Sequence, residues 1–265
     1  MASPQPILVL GTSHGGGNWP PLAAIIVGLH QAGHAVQCFG DAAIAHDLAA
    51  SAVAAEVVAA EDPLSTFIAR WRAAGDVEPF PFRAWADACR PAVRALVRAC
   101  RPRVVLSELF TMELARLTKA ASGLPWCCLN PGYYFGPEST RPFEADFVGR
   151  TRYYIQQFLQ GLGEADLVLH GTDPLFDPPP PAIPRHHQYV GPLWWERPSE
   201  APTYLDIPGA PWVLVTVSSN PQAGEMTLAR TALQTPGRTS RPRRVNAHRQ
   251  ASPRRTGRRP CQCLD

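Results

Sequence analysis

Ile7-Leu-Val-Leu-Gly-Thr-Ser-His-Gly-Gly-Gly-Asn-Trp-Pro-Pro21 decides how the rest of the chain is read. Ile7 to Leu10 is a short unbroken apolar run, the pattern of a strand covered on both faces of a parallel sheet. Gly11, Gly15, Gly16 and Gly17 follow, and glycines permit positive φ and let a ligand approach the backbone closely. Pro20 and Pro21 suit the first turn of a helix, expected to run to Gln31 with Leu22, Ile25, Ile26 and Leu29 on one stripe and Gly33 as its stop. The start of that helix offers N–H groups and a partial positive charge, which suit a phosphate or a developing oxyanion.

Spacing separates the families that share a strand, glycine loop and helix. A phosphate-cradling NTPase loop needs Gly-Lys followed by Ser or Thr, but Gly17 and Asn18 stand where the lysine and hydroxyl belong. The dinucleotide fingerprint is not met either, because Thr12-Ser-His14 separates Gly11 from the next glycine. Asp41 after the second strand would still suit a ribose, so a dinucleotide-binding oxidoreductase stays as an alternative.

Composition narrows the class. The 265 residues carry a net charge of +3, but nine of the 25 basic residues and one of the 22 acids lie in 236–265. The first 235 residues therefore hold 16 basic and 21 acidic side chains, a net of −5. No apolar run reaches the roughly 18 residues a membrane span requires, and the N-terminus lacks a basic signal region, so an integral span is not expected and the location is expected to be cytoplasmic. Seven cysteines, with Cys38, Cys127 and Cys128 in apolar runs, fit reduced buried thiols better than a disulfide framework.

Strands and helices alternate along the chain. Ala35 to Phe39 reads as the second strand, Ala42 to Glu61 as helix-permissive, and Phe67 to Ala74 as a short helical piece. Residues 84–100 place Trp85, Ala88, Cys89, Ala92, Val93, Leu96 and Val97 on one helical face, with Arg90, Arg94 and Arg98 as a solvated face opposite. Further strands are expected at 103–107, 125–129 and 166–170, with helices at 111–122 and about 144–160. This order argues for an α/β fold, an open parallel sheet with helices on both faces, and ligands bind such sheets beyond the carboxyl ends of the strands. Three loops gather there: 11–19, 107–110 and 130–137, the last with Tyr133, Tyr134 and Phe135 between glycine and proline breaks. Thr172 to Pro202 is crowded with prolines and reads as a connector, with His186 and His187 solvated within it. The two histidines stand alone, and Cys261, Cys263 and His248 have the wrong spacing for zinc, so no metal or other cofactor is expected.

Several pieces in consistent order resemble GT-B fold glycosyltransferases of the macrolide, glycopeptide and sterol type (family 1, UDP-glycosyltransferase-like). These are Gly11-Thr12, the turn from Gly15 to Pro21, Gln31-Ala-Gly-His34, Tyr189-Val-Gly-Pro-Leu193 and Pro211-Trp-Val-Leu-Val-Thr-Val-Ser-Ser-Asn220. The resemblance runs from Ile7 to about Gln234. It implies an acceptor-binding, Rossmann-like domain at 1–193, a proline-rich linker at 194–211, and the first strand and helix of a donor-binding domain at 212–235. It further implies inverting transfer of a sugar from a nucleotide-sugar co-substrate to a hydroxyl of a small hydrophobic acceptor.

The family's base is a histidine in a Gly-His-x-x-Pro setting, held by an acid from a later strand end. Aligning Pro21 with that proline puts Asn18 in the histidine slot, and an amide cannot accept the proton. His14 becomes the candidate base, with Glu108 to orient it or else to cap the helix near Thr111. Asn18, Trp19, Phe110, Tyr133, Tyr134 and Phe135 are the expected acceptor contacts, and Gly15, Gly16, Ser218 and Ser219 the donor contacts.

After Thr235 the text changes. Arg, Pro, Gly, Ala, Ser and Thr make up 21 of the last 30 residues, which cannot bury a core, so a disordered tail is expected. The family's later donor motifs are absent from it. The tail reads as the product of a lost reading frame in a GC-rich gene, and the chain as a truncated copy without turnover of its own; the nucleotide-sugar would bind only with a complete donor domain. The rival reading, a basic arm for nucleic acid, lacks interleaved aromatics. A non-catalytic binding module is the alternative from a different class.

Overall fold

The computed structural model describes residues 5–51, 53, 56–59, 82–132, 134, 150–196, 213–216, 227, 231 and 245–248. The chain divides into two compact units, 1–199 and 200–265. Unit 1 is built on seven strands: β1 (Ile7–Leu10), β2 (Val36–Gly40), β3 (Glu56–Ala59), β4 (Val104–Glu108), β5 (Trp126–Asn130), β6 (Leu167–His170) and β7 (His187–Tyr189). They form one sheet in the order β3-β2-β1-β4-β5-β6-β7, with every pairing parallel.

The apolar runs are long enough to cover both faces, and alternation sorts them. Leu8 and Leu10 of β1 join one core with Val105, Trp126, Cys128 and Val168. That core is closed by α3 (Phe82–Cys100), α4 (Met112–Ser122) and α5 (Arg150–Glu164). Ile7 and Val9 point the other way, into a core with Leu106 and Leu129 that α1 (Trp19–Gln31) and α2 (Ala42–Ala50) cover. The α/β sheet with helices on both faces, read from the sequence, is thus the fold observed.

Some expectations are corrected. The helix expected from Ala42 onward stops at Ala50, and Glu56–Ala59 pairs with β2, where a β-branched Val-Val pair gains ladder bonds that an isolated helix extension lacks. On α3 the buried face is Phe82, Trp85, Ala86, Cys89 and Val93, while Ala88 and Ala92 are exposed, so the stripe is rotated from the one read. Arg90, Arg94 and Arg98 do face solvent. The proline-rich connector holds β7, and beyond it Leu193 and Trp195 pack on the core of α1 and α2. The helical piece at 67–74 and the start of the 144–160 helix lie outside the described residues.

In unit 2, β8 (Val213–Thr216) pairs in parallel with β9 (Val245–His248). The arginine-rich tail therefore contributes one described strand, where the sequence led us to expect none. An apolar strand with open ladder groups is a template for such pairing. Among the described residues Cys38, Cys89, Cys100, Cys127 and Cys128 are free thiols, and no helix is long and apolar enough to cross a membrane.

Candidate active site

The strand order reverses between β1 and β4, so the crevice at their carboxyl ends is where a ligand is expected. The glycine loop enters it as a 3-10 turn, Ser13–Asn18. Of the described glycines only Gly33, Gly123 and Gly191 have positive φ, so Gly11 and Gly17 do not serve the turn in the way expected. Gly11 supplies space instead: a Cβ there would lie 2.8 Å from Leu22 Cδ2, and one on Gly40 would lie 2.9 Å from the Gly11 carbonyl oxygen.

Asp41 fastens this loop. Its carboxylate caps α2 through the N–H groups of Ala43 and Ile44, accepts the Ser13 N–H at 2.7 Å and the Thr12 hydroxyl at 3.3 Å, and is buried. Those four bonds occupy the oxygens that a ribose would need. A second acid absent from the sequence reading, Asp47, accepts the Trp19 indole N–H at 2.8 Å. Trp19 is buried against Leu22, Ile26 and Trp195, so its ring supports the loop and is not a surface for an acceptor.

Glu108, the last residue of β4, is fully buried. Its Oε2 accepts the Phe110 N–H at 2.6 Å and the Asn18 amide at 3.2 Å. Oε1 is buried without a hydrogen-bond partner. Burial pushes the carboxyl up to about 7, although the bonds from Phe110, Thr111 and Asn18 act in the opposite direction. Among the described side chains Glu108 is bonded to Asn18, and the side chain of His14, which Glu108 is expected to orient, lies outside what the structure describes. Glu108 is not a helix cap either, since Phe110 precedes the first residue of α4. Asn18 stands at the N-cap of α1 yet makes no cap bond, because its amide is turned to Glu108. With Pro20 and Pro21 in that first turn, two of the N–H groups expected to face a phosphate are missing. Thr111 binds the loop after β4 to β1, donating to the Leu10 carbonyl at 2.7 Å.

Phe110 is half-buried and packs among Phe82 and Phe158, with ring centroids 5.8 and 6.3 Å away. Tyr134 lies at the ends of β5 to β7, its ring centroid 5.4 Å from that of His170. Tyr133, Phe135, Ser218 and Ser219 lie outside the described residues, and Gly15 and Gly16 fall within the 3-10 turn.

A polar chain that the sequence did not reveal crosses those strand ends. Asn130 bonds His170 Nδ1 at 3.1 Å, and His170 Nε2 bonds His187 Nδ1 at 3.0 Å. His187 is therefore half-buried and bonded in β7, not solvated as expected. Burial lowers both histidines to about 4, helped at His187 by the neighbouring imidazoles. No group of three or more potential metal ligands exists among the described residues.

Neither a protein-family model nor a curated protein sequence matches this chain. Solved structures do. The glycosyltransferase of kitacinnamycin is similar with a TM-score of 0.59 at 17% identity, over 92% of this chain and 66% of that one. CalG4, the calicheamicin glycosyltransferase, gives 0.57 at 17% over 92% and 64%. The spinosyn rhamnosyltransferase SpnG complexed with thymidine diphosphate gives 0.52 at 16% over 91% and 64%. The chain has a GT-B glycosyltransferase-like fold. It spans less than two thirds of the length of these three proteins.

Proposed function

We propose that this chain supplies the acceptor half of an inverting glycosyltransferase that moves a sugar from a nucleotide-sugar to a hydroxyl of a small lipophilic acceptor. The observation that supports it most directly is Glu108, a buried acid at the β1/β4 switch point with one oxygen unpartnered, bonded to the glycine loop through Asn18. In the reaction the acceptor O–H gives its proton to a base and its oxygen attacks the anomeric carbon. The bond from that carbon to the diphosphate breaks, and the nucleotide leaves with the electron pair. His14 is the base in this reading, Asn18 and Glu108 hold the loop, and Phe110, Tyr133, Tyr134 and Phe135 border the acceptor. The donor contacts assigned in this reading are Gly15 and Gly16 of one unit and Ser218 and Ser219 of the other, and transfer requires donor and acceptor to be held in line.

Asn18 favours a second reading. An amide bonded to the acid where the resembled family places a histidine fits a binding module that takes the acceptor without reacting it. Equilibrium dialysis of the chain against hydroxylated aglycones, with and without thymidine and uridine diphosphate glucose, and mass spectrometry for glycoside, tests both. Aglycone binding without glycoside is the expected result for this chain alone. Glycoside formed faster than by a His14→Ala variant would show turnover by the chain itself. NAD binding with no aglycone binding would overturn both readings.

A further inference from the structure

The polar chain across β5, β6 and β7 has a direction that its bonds determine. Asn130 Oδ1 accepts the Gly132 N–H at 3.2 Å, which leaves its Nδ2 to face His170 Nδ1 as a donor. His170 Nδ1 must then be the unprotonated nitrogen, so its proton is on Nε2 and is donated to His187 Nδ1. The same logic places the proton of His187 on Nε2. Among the described residues no hydrogen bond from that N–H is found, and it is not a buried orphan, so the chain ends in an available donor.

Flat rings surround this end. Tyr189 stacks on His170 at 4.9 Å, Tyr134 approaches His187 at 6.0 Å, and His186 meets His187 edge-on at 4.5 Å. His186 Nε2 is itself buried without a partner, a second polar atom that the protein leaves unsatisfied here. Asp177 stands beside the rings, accepting the Tyr134 N–H and, at 3.5 Å, the Tyr189 hydroxyl. Its carboxylate opposes an anionic ligand.

We propose that the ends of β5, β6 and β7 bind a planar molecule bearing a neutral oxygen acceptor, a ketone or a phenol, which takes the His187 Nε2–H. The low affinity of both histidines for a second proton keeps this donor uncharged above about pH 4, and the Asp177 carboxylate beside it disfavours a carboxylate or phosphate. This inference rests on the acceptor reading only in identifying the molecule with the sugar acceptor.

The test uses the full chain and three probes: 2-acetylnaphthalene, naphthalene and 2-naphthoate. Equilibrium dialysis is expected to show 2-acetylnaphthalene bound about tenfold more tightly than naphthalene, the worth of one hydrogen bond in a partly desolvated site, and 2-naphthoate no more tightly than naphthalene. His187→Phe keeps a flat ring and removes the N–H, so it should bring the affinities for 2-acetylnaphthalene and naphthalene together and abolish the preference. Should that variant fail to fold, Asn130→Ala keeps His187 and releases the tautomer, and should reduce the preference in part. Nitrogen-15 spectra of the unaltered chain should show both histidines protonated at Nε2. A preference that survives His187→Phe, a proton on His187 Nδ1, or no binding of any probe would overturn the proposal. Binding of 2-acetylnaphthalene with the preference intact, but no binding of hydroxylated aglycones, would instead count against the acceptor reading alone.

Discussion

Two polar groups lie at the same edge of the sheet and handle burial in opposite ways. At the β1/β4 end, Glu108 has no cationic partner among its bonds and leaves Oε1 empty. At the β5 to β7 end, the two histidines stay neutral and satisfy each other and Asn130. A buried acid without a countercharge is a cost held in place by the surrounding fold, whereas neutral groups bonded to one another cost less to bury and leave the terminal His187 Nε2–H to donate. The first is tied to the glycine loop through Asn18, and the second ends in a single neutral donor.

Opposite pH responses break this comparison most sharply. Glu108 has a folded pKa of about 7, above the value of 4.5 expected unfolded. The folded state therefore binds more protons between those values, and stability falls as pH rises from 4.5 through 7, by on the order of 3 kcal/mol. Denaturant melts of wild type and Glu108→Gln at pH 5 and pH 8 should differ mainly at pH 8, where the variant is the more stable. Equal pH slopes would mean that Glu108 is paired or solvated.

Gly40→Ala probes the backbone contact that brings β2 against the start of the glycine loop. Its Cβ would meet a carbonyl oxygen, which cannot swing aside, and Ile44 Cδ1. A loss of about 1–3 kcal/mol is expected, read as a lowered urea midpoint at unchanged slope. No loss would mean that the two strand ends separate easily.

His170 and His187 should act with the other sign. Their folded pKa values near 4 lie below the 6.5 of the unfolded chain, so the unfolded state takes up more protons and stability is lost as pH falls from 6.5 toward 4. Because His187 is only half-buried, about 1–2 kcal/mol for each is expected after solvent screening. His170→Phe should flatten the acid limb of the stability curve, and an unchanged limb would place the acid sensitivity elsewhere. The smallest effect is expected of Asn18→Ala, about 1 kcal/mol for one lost bond to a buried acid. It should also raise the Glu108 pKa further, visible as a shift of the alkaline limb to higher pH.

Residues whose role is local were legible. Ile7–Leu10 announced a doubly covered strand, Gly123 ends α4 with φ of 72°, and Arg90, Arg94 and Arg98 face water as their helical period requires. Asp41 carries a readable cap signal, an acid directly before an alanine-rich helix, and it caps α2. No local signal pointed to the pairing of Asn130 with His170, 40 residues apart, or of Asn18 with Glu108, 90 residues apart.

By itself the sequence determined that this chain forms an open parallel α/β sheet with a glycine loop at one strand end, because hydrophobic period and turn residues act over a few positions. Only the tertiary structure decided which polar groups meet at the edge of that sheet. Crossovers bring distant strand ends side by side, and burial then decides which of them keep a proton.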